Sequence, residues 1–205
     1  MQEGLGKPEM SNENELITQA QQGDADAFGS LYDLHVRRIY RFIFLKTGNK
    51  NDAEDLTHEV FLSAWRTVAG WRERDSVPFA SWLYQIARNR VIDWYRTRKS
   101  GVSLDELIAG NALPIELASA GGPGLMQALH RKFEVQAVMD AVRGLSDDQQ
   151  DVVIMRFVED LSAEETGTAI GKTASAVRLI QHRAIQKLKK TLEEKNESRI
   201  PHRTA

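Results

Sequence analysis

Residues 71–99 read WRERDSVPFASWLYQIARNRVIDWYRTRK, and how this stretch folds decides how the rest is organised. All four tryptophans of the chain fall between Trp65 and Trp94, so its large, flat side chains are concentrated here. The second half is predicted helical. Pro78 suits an N-terminal position, and Trp82, Leu83, Ile86, Ala87, Val91 and Trp94 recur at three- and four-residue steps. The other face carries Arg88, Asn89, Asp93 and Arg96, followed by Arg98 and Lys99. Aromatic rings beside a basic face suit single-stranded nucleic acid, because phosphates call for Lys and Arg while unstacked bases call for a flat partner. A core helix with a solvated face fits this stretch equally well when it is taken alone.

The chain has 205 residues, enough for one large or two small domains, each with its own core. Its 27 basic and 29 acidic residues give a formal charge of −2, which excludes a uniformly basic coat and makes any nucleic-acid surface local. Without cysteine there is neither a disulfide framework nor a cysteine zinc site. The N-terminal residues lack the pattern of a signal peptide, and no apolar run approaches the roughly 20 residues of a spanning helix. The expectation is a soluble, cytoplasmic protein with no membrane insertion.

Working outward, residues 1–13 are polar and are expected to form a disordered leader. A helical pattern starts with Leu16, Ile17 and Ala20 and breaks at Gly23-Asp24. Phe28, Leu31, Tyr32, Val36, Ile39, Tyr40 and Ile43 then continue it to Gly48. The next helix starts near Asn51-Asp52, with Leu56, Val60, Phe61, Ala64, Trp65 and Val68 inward and Asp52, Asp55 and Glu59 on a polar face. Residues 14–99 are therefore expected to form an all-α first domain. Residues 100–132 read as a linker: between Gly101 and His130 there is no Lys, Arg or aromatic residue, and Gly121-Gly122-Pro123-Gly124 is a breaker cluster.

A second domain is expected over residues 133–195, with a disordered tail at 196–205. Val135, Val138, Met139 and Val142 form an apolar stripe. Ser146 and Gln149 fit a capping box that opens a helix with Val152, Val153 and Phe157 inward. A second box, Ser162 to Glu165, opens a short helix that Gly171 can end, and Thr173 caps a last helix. Two helices joined by so short a turn make a helix-turn-helix candidate. In that geometry Ser175, Arg178, Leu179 and His182 lie near base edges, with Arg183 and Lys187 near the phosphates, and the capping Thr173 is counted in the same DNA-binding set. A solvated basic face on a C-terminal helix is the plainer alternative.

Three stretches together carry a family resemblance: Asp52 to Trp65, Phe79 to Asp93, and Leu161 to Lys189. They resemble regions 2 and 4 of an extracytoplasmic-function (ECF, group 4) sigma factor of the bacterial sigma-70 family. The resemblance implies two helical domains, the region 2 bundle and the region 4 helix-turn-helix, in a dissociable subunit that brings core RNA polymerase to promoters in a stress response. It implies no catalysis, cofactor or metal. Asp52, Asp55, His58 and Glu59 match positions that dock on the polymerase clamp helices, although His58 stands where glutamine is frequent. Trp71, Arg72, Arg74, Phe79, Arg88, Asn89, Asp93 and Arg96 fall in the part that reads the minus-ten element and holds a flipped base. Region 4 would read the minus-thirty-five element as duplex beside the polymerase flap. An anti-sigma factor is an implied partner, and the two regions are expected to pack together or beneath such a partner in the free protein.

Two other readings remain at this point. A conventional helix-turn-helix repressor or activator explains the second domain but not the aromatic and basic clustering of the first. A metal-dependent hydrolase using His35, His58 and nearby carboxylates lacks ligand spacing such as HExxH.

Overall fold

The computed structural model describes residues 8–72, 78–99 and 136–197, and among these the secondary structure is entirely helical. In order, the helices are α1 (Pro8–Gln21), α2 (Ala25–Thr47), α3 (Lys50–Thr67) and α4 (Phe79–Lys99), with a 3₁₀ turn at Val68–Gly70. They continue with α5 (136–143), α6 (Asp147–Val153), which runs on as a π turn over Ile154–Val158, α7 (Ala163–Ile170) and α8 (Ala174–Glu197). The linker expected over residues 100–132 lies outside the described residues.

Local chemistry sets most of these boundaries. The Asp24 side chain accepts from the backbone N of Asp26 and Ala27 and so caps α2, and Asn49 accepts from Asp52 N to cap α3. α1 begins at Pro8, inside the stretch expected to be a leader, where a proline leaves no extra donor unpaired because the first N–H groups of a helix lack partners anyway. α8 reaches Glu197, two residues into the expected tail.

α2, α3 and α4 pack on one another around Leu31, Ile39, Phe42, Ile43, Val60, Leu83, Ala87 and Val91, all buried. α1 lies against α2. The second unit is not a detached body. α7 packs along α4, and Ile154, Met155, Ala169, Ile170 and Val177 join the same apolar cluster as the first unit. Each of these Ile, Met and Val side chains contributes about 1.5–3 kcal/mol on burial, and Ala169 less. The ion pairs of the seam involve the buried Lys46, Asp151 and Glu159, and because desolvation offsets much of the attraction of a buried pair, apolar burial is the main adhesive.

Two apolar positions differ from expectation. Phe157 is 57% exposed, while Ile154 and Met155 are buried. The cause is the π turn: Glu159 N donates to Ile154 O at 3.0 Å, five residues back, and the extra residue rotates everything after it relative to a regular helix. Val138, expected in the inward stripe, is also exposed, while its neighbours Met139 and Val142 are buried.

Candidate nucleic-acid and polymerase interface

The second unit holds a tight helix-turn-helix. The Ser162 hydroxyl accepts from Glu165 N at 3.0 Å while Ser162 N donates to Glu165 Oε2 at 2.6 Å, which fixes the start of α7. Gly171 ends the helix at φ +69, in the left-handed region that favours glycine. Lys172 N donates to Gly167 O at 2.8 Å, so the turn closes directly over Gly167. A Cβ on Gly167 would lie 2.5 Å from Lys172 O. The Thr173 hydroxyl accepts from Ala176 N at 3.2 Å and caps α8.

α8 buries Val177 and Ala184 and turns the opposite face outward. Thr173, Ser175, Arg178, Leu179, His182, Arg183 and Lys187 are all exposed on α8 and the turn before it, so the side chains expected at base edges and phosphates share one solvent-facing surface. Within it, Arg178 pairs with Glu164 of α7 at 2.7 Å, and Lys187 Nζ donates to Gly144 O at 2.8 Å. The Glu164 carboxyl is held below the usual range first by its own backbone hydrogen bond and then by Arg178.

The residues expected at the minus-ten element do not form one surface. Asn89, Asp93 and Arg96 are exposed and follow one another at helical spacing, with Arg96 3.6 Å from Asp93. Trp71 and Phe79 instead belong to an aromatic cluster with Trp82. The Phe79 ring lies 5.4 Å from Trp71 and 5.3 Å from Trp82, and Phe79 itself is buried. Phe79 therefore supports this site from beneath and presents no face to a ligand. Gln21 Nε2 donates to Trp71 O at 2.8 Å, tying α1 to the loop, and the Arg72 guanidinium folds back on Ala69 O and Trp71 O, both at 2.9 Å. Arg74 lies outside the described residues. Arg88 points neither to solvent nor to the aromatic cluster but across to α6.

On α3, Asp55, His58 and Glu59 share an exposed face, which Leu62, 41% exposed and not singled out by the sequence, extends by one turn. Asp52 does not share it. Its carboxylate accepts from Trp94 Nε1 at 3.3 Å and from Arg98 at 3.1 Å, joining α3 to α4, with the Arg98 guanidinium over the Trp94 ring.

A set of ion pairs between the two units was invisible in the sequence. Asp151, itself buried, meets Lys46 of α2 at 2.8 Å and Arg88 of α4 at 2.7 Å, and Arg88 also reaches Asp148 at 2.9 Å. Glu159, with a fully buried side chain, accepts from Arg41 at 2.6 and 2.8 Å and lies 3.4 Å from Arg38. Arg38 also donates to the Glu159 carbonyl, and Arg41 to Val158 O. These contacts hold the Arg41 guanidinium more firmly protonated, chiefly through Glu159. The adjacent Tyr84 hydroxyl is pushed well above its usual range, by burial first and by the Glu159 charge second.

His35 is hydrogen-bonded to Glu13 at 2.9 Å, and His58 is exposed on α3. Among the described residues no group of three or more His, Asp or Glu is placed to hold a metal. No helix among them is long and apolar enough to cross a membrane.

A helix-turn-helix with an exposed basic face, joined to a helical bundle with an aromatic cluster and a second exposed polar face, defines a two-part helical protein of the sigma-70 class. The family model "Sigma-70 region 2" matches residues 31–101, and "Sigma-70, region 4" matches residues 141–190. Over 182 residues the chain is 37% identical to the ECF RNA polymerase sigma factor BldN of Streptomyces coelicolor, covering 87% of this chain and 65% of that relative. It is 30% identical over 178 residues to the ECF RNA polymerase sigma factor SigD of Mycobacterium tuberculosis, covering 85% of this chain and 81% of SigD. The sigma factor RpoE of Bartonella quintana, solved in complex with the anti-sigma factor NepR, shares the fold with TM-score 0.62 at 21% identity, over 81% of this chain and 96% of that one. The chain belongs to the ECF RNA polymerase sigma factors.

Proposed function

We propose that this chain is a dissociable promoter-recognition subunit of bacterial RNA polymerase, working in the cytoplasm and without catalysis of its own. The observation that carries this is the α8 surface, where Ser175, Arg178, Leu179, His182, Arg183 and Lys187 stand exposed behind a closed helix-turn-helix turn. Such a helix fits the major groove with its first turns on base edges and its later turns on phosphate. Region 2 takes the complementary task. The Asn89, Asp93 and Arg96 face holds melted minus-ten strand, where flipping a base costs a few kcal/mol and stacking or polar capture must offset it. The Trp71 loop frames that face.

The polymerase docks through Asp55, His58 and Glu59 on the clamp side and through region 4 on the flap. Asp52 acts in this reading by orienting the helix, since its oxygens already serve Trp94 and Arg98. A protein inhibitor is a further partner, by analogy with RpoE held by NepR.

The test is binding to core polymerase. Labelled chain titrated with core enzyme should form a stoichiometric complex, and D55A combined with E59A should weaken it while helical circular dichroism is unchanged. Absence of any complex between core enzyme and the unaltered chain would overturn the reading.

A further inference from the structure

α7 opens with two acidic residues, Glu164 and Glu165, and the two are used differently. Glu165 accepts from Ser162 N and completes the cap, so its carboxylate is engaged within α7. Glu164 takes its own backbone N–H and reaches across to α8, where Arg178 Nη2 donates to its Oε1 at 2.7 Å. A carboxylate is thus set against the basic surface that α8 offers to DNA, where a negative charge by itself repels phosphate.

The contact adds little to the fold. The two side chains are 60% and 64% exposed, and an ion pair in water at that exposure holds two helices together only weakly. The turn between α7 and α8 is fixed without it, by the Ser162 cap and by Lys172 N on Gly167 O. What the pair fixes is a direction. A long side chain loses rotamer freedom when it is immobilised on a ligand, and a partner that orders it beforehand removes part of that cost from binding. Glu164 engages Nη2 alone. The guanidinium carries five N–H donors in a planar fork, so enough remain for the two parallel bonds that guanine O6 and N7 accept in the major groove.

We infer that Glu164 is a positioning residue for sequence reading: it holds the Arg178 guanidinium on the outward face of α8, ready for a guanine of the minus-thirty-five element, and touches no base itself. The inference rests on the duplex-reading role proposed for α8 and deepens it. On a matched duplex the prior ordering of Arg178 favours binding. On a duplex without that guanine only the repulsion between carboxylate and phosphate is left. Glu164 therefore widens the gap between right and wrong sequences and does not raise affinity everywhere.

The test uses the full chain assembled with core polymerase, on a duplex carrying a start site mapped with the unaltered chain and on versions with each minus-thirty-five base pair substituted in turn. Glu164→Ala should weaken binding to the matched duplex about fivefold, the size expected for ordering one long side chain, and Glu164→Gln, which keeps the shape and removes the charge, by less. Neither should weaken binding to the duplex substituted at the pair that Arg178 reads. In an Arg178→Ala background neither should reduce discrimination further. Equal losses on every duplex would make Glu164 a structural residue. Tighter binding to the matched duplex would make it a competitor of DNA for Arg178, and a loss of discrimination that persists without Arg178 would place its action elsewhere. Each of these overturns the inference and leaves promoter recognition standing, whereas mapped starts that share no minus-thirty-five element would remove the reading beneath it.

Discussion

Arg88 Nε donates to Asp151 Oδ2 at 2.7 Å, joining two residues that lie 63 positions apart. Burial alone would favour loss of the Arg88 proton, and the hydrogen bond and charge of Asp151 outweigh it, so the guanidinium stays firmly charged in the seam. Asp151 is held by Lys46 from the other side. A side chain that helical periodicity assigns to a solvated basic face thus sits in the charged centre of the contact between the two units.

Gly167 is expected to be irreplaceable within the helix-turn-helix. A methyl group there meets the backbone oxygen of Lys172 at 2.5 Å, so Gly167→Ala must open the turn, at about 1–3 kcal/mol for such overpacking. For a chain of this size that corresponds to roughly 2–4 °C of melting temperature per kcal/mol. Gly29→Ala on α2, where nothing lies within 4 Å of the added carbon, should be neutral or stabilising. Equal thermal melts for the two variants would contradict the close approach.

Base reading and phosphate contact should separate on α8. Arg178→Ala is expected to cost about 1–3 kcal/mol on the preferred minus-thirty-five sequence and to relax preference at one base pair. Lys187→Ala should weaken all duplexes alike and flatten the salt dependence by about one unit of slope. Binding titrations on a single-base substitution series decide between these outcomes. Uniform losses for both variants would show that Arg178 reads no base.

Acid should loosen α1. The Glu13 carboxyl lies below its ordinary value of 4.5, chiefly through the hydrogen bond to His35, against an opposing effect of burial. A lowered folded-state value means that the stabilisation is complete above the ordinary value and is lost as pH falls through the folded one. Amide exchange in α1 should therefore quicken on acidification below the usual glutamate range, and Glu13→Gln should remove that pH dependence. The same acid response in the variant would assign the loosening to other groups.

Promoter opening should depend on Asn89 more than closed binding does. The residue is exposed one turn before Asp93, and its amide can both donate to and accept from a captured base. Asn89→Ala is expected to leave duplex binding near wild type and to slow opening, with a premelted template restoring most transcription. An equal defect on both templates would make α4 a docking element.

The parts of the fold that were legible in the sequence are those set within a few residues. Ser162 with Glu165, Gly171 and Thr173 fix the helix-turn-helix by contacts three to five positions apart, and such contacts leave a local signature. Phe157 was misplaced because one extra residue in a turn changes helical phase without changing composition. The Arg41–Glu159 and Lys46–Asp151 pairs were illegible for another reason. Their partners are brought together only by the packing of α7 on α4, and a lone acidic residue gives no sign of whether it will be solvated or buried.

The central claim, that this chain confers promoter recognition, is tested most directly by mapping transcript 5′ ends made on genomic DNA by core polymerase with and without the protein. The expected result is a discrete set of starts, present only with the chain, sharing one sequence element near minus ten and another near minus thirty-five. Starts that are the same with and without the chain, or that share no upstream element, would contradict it.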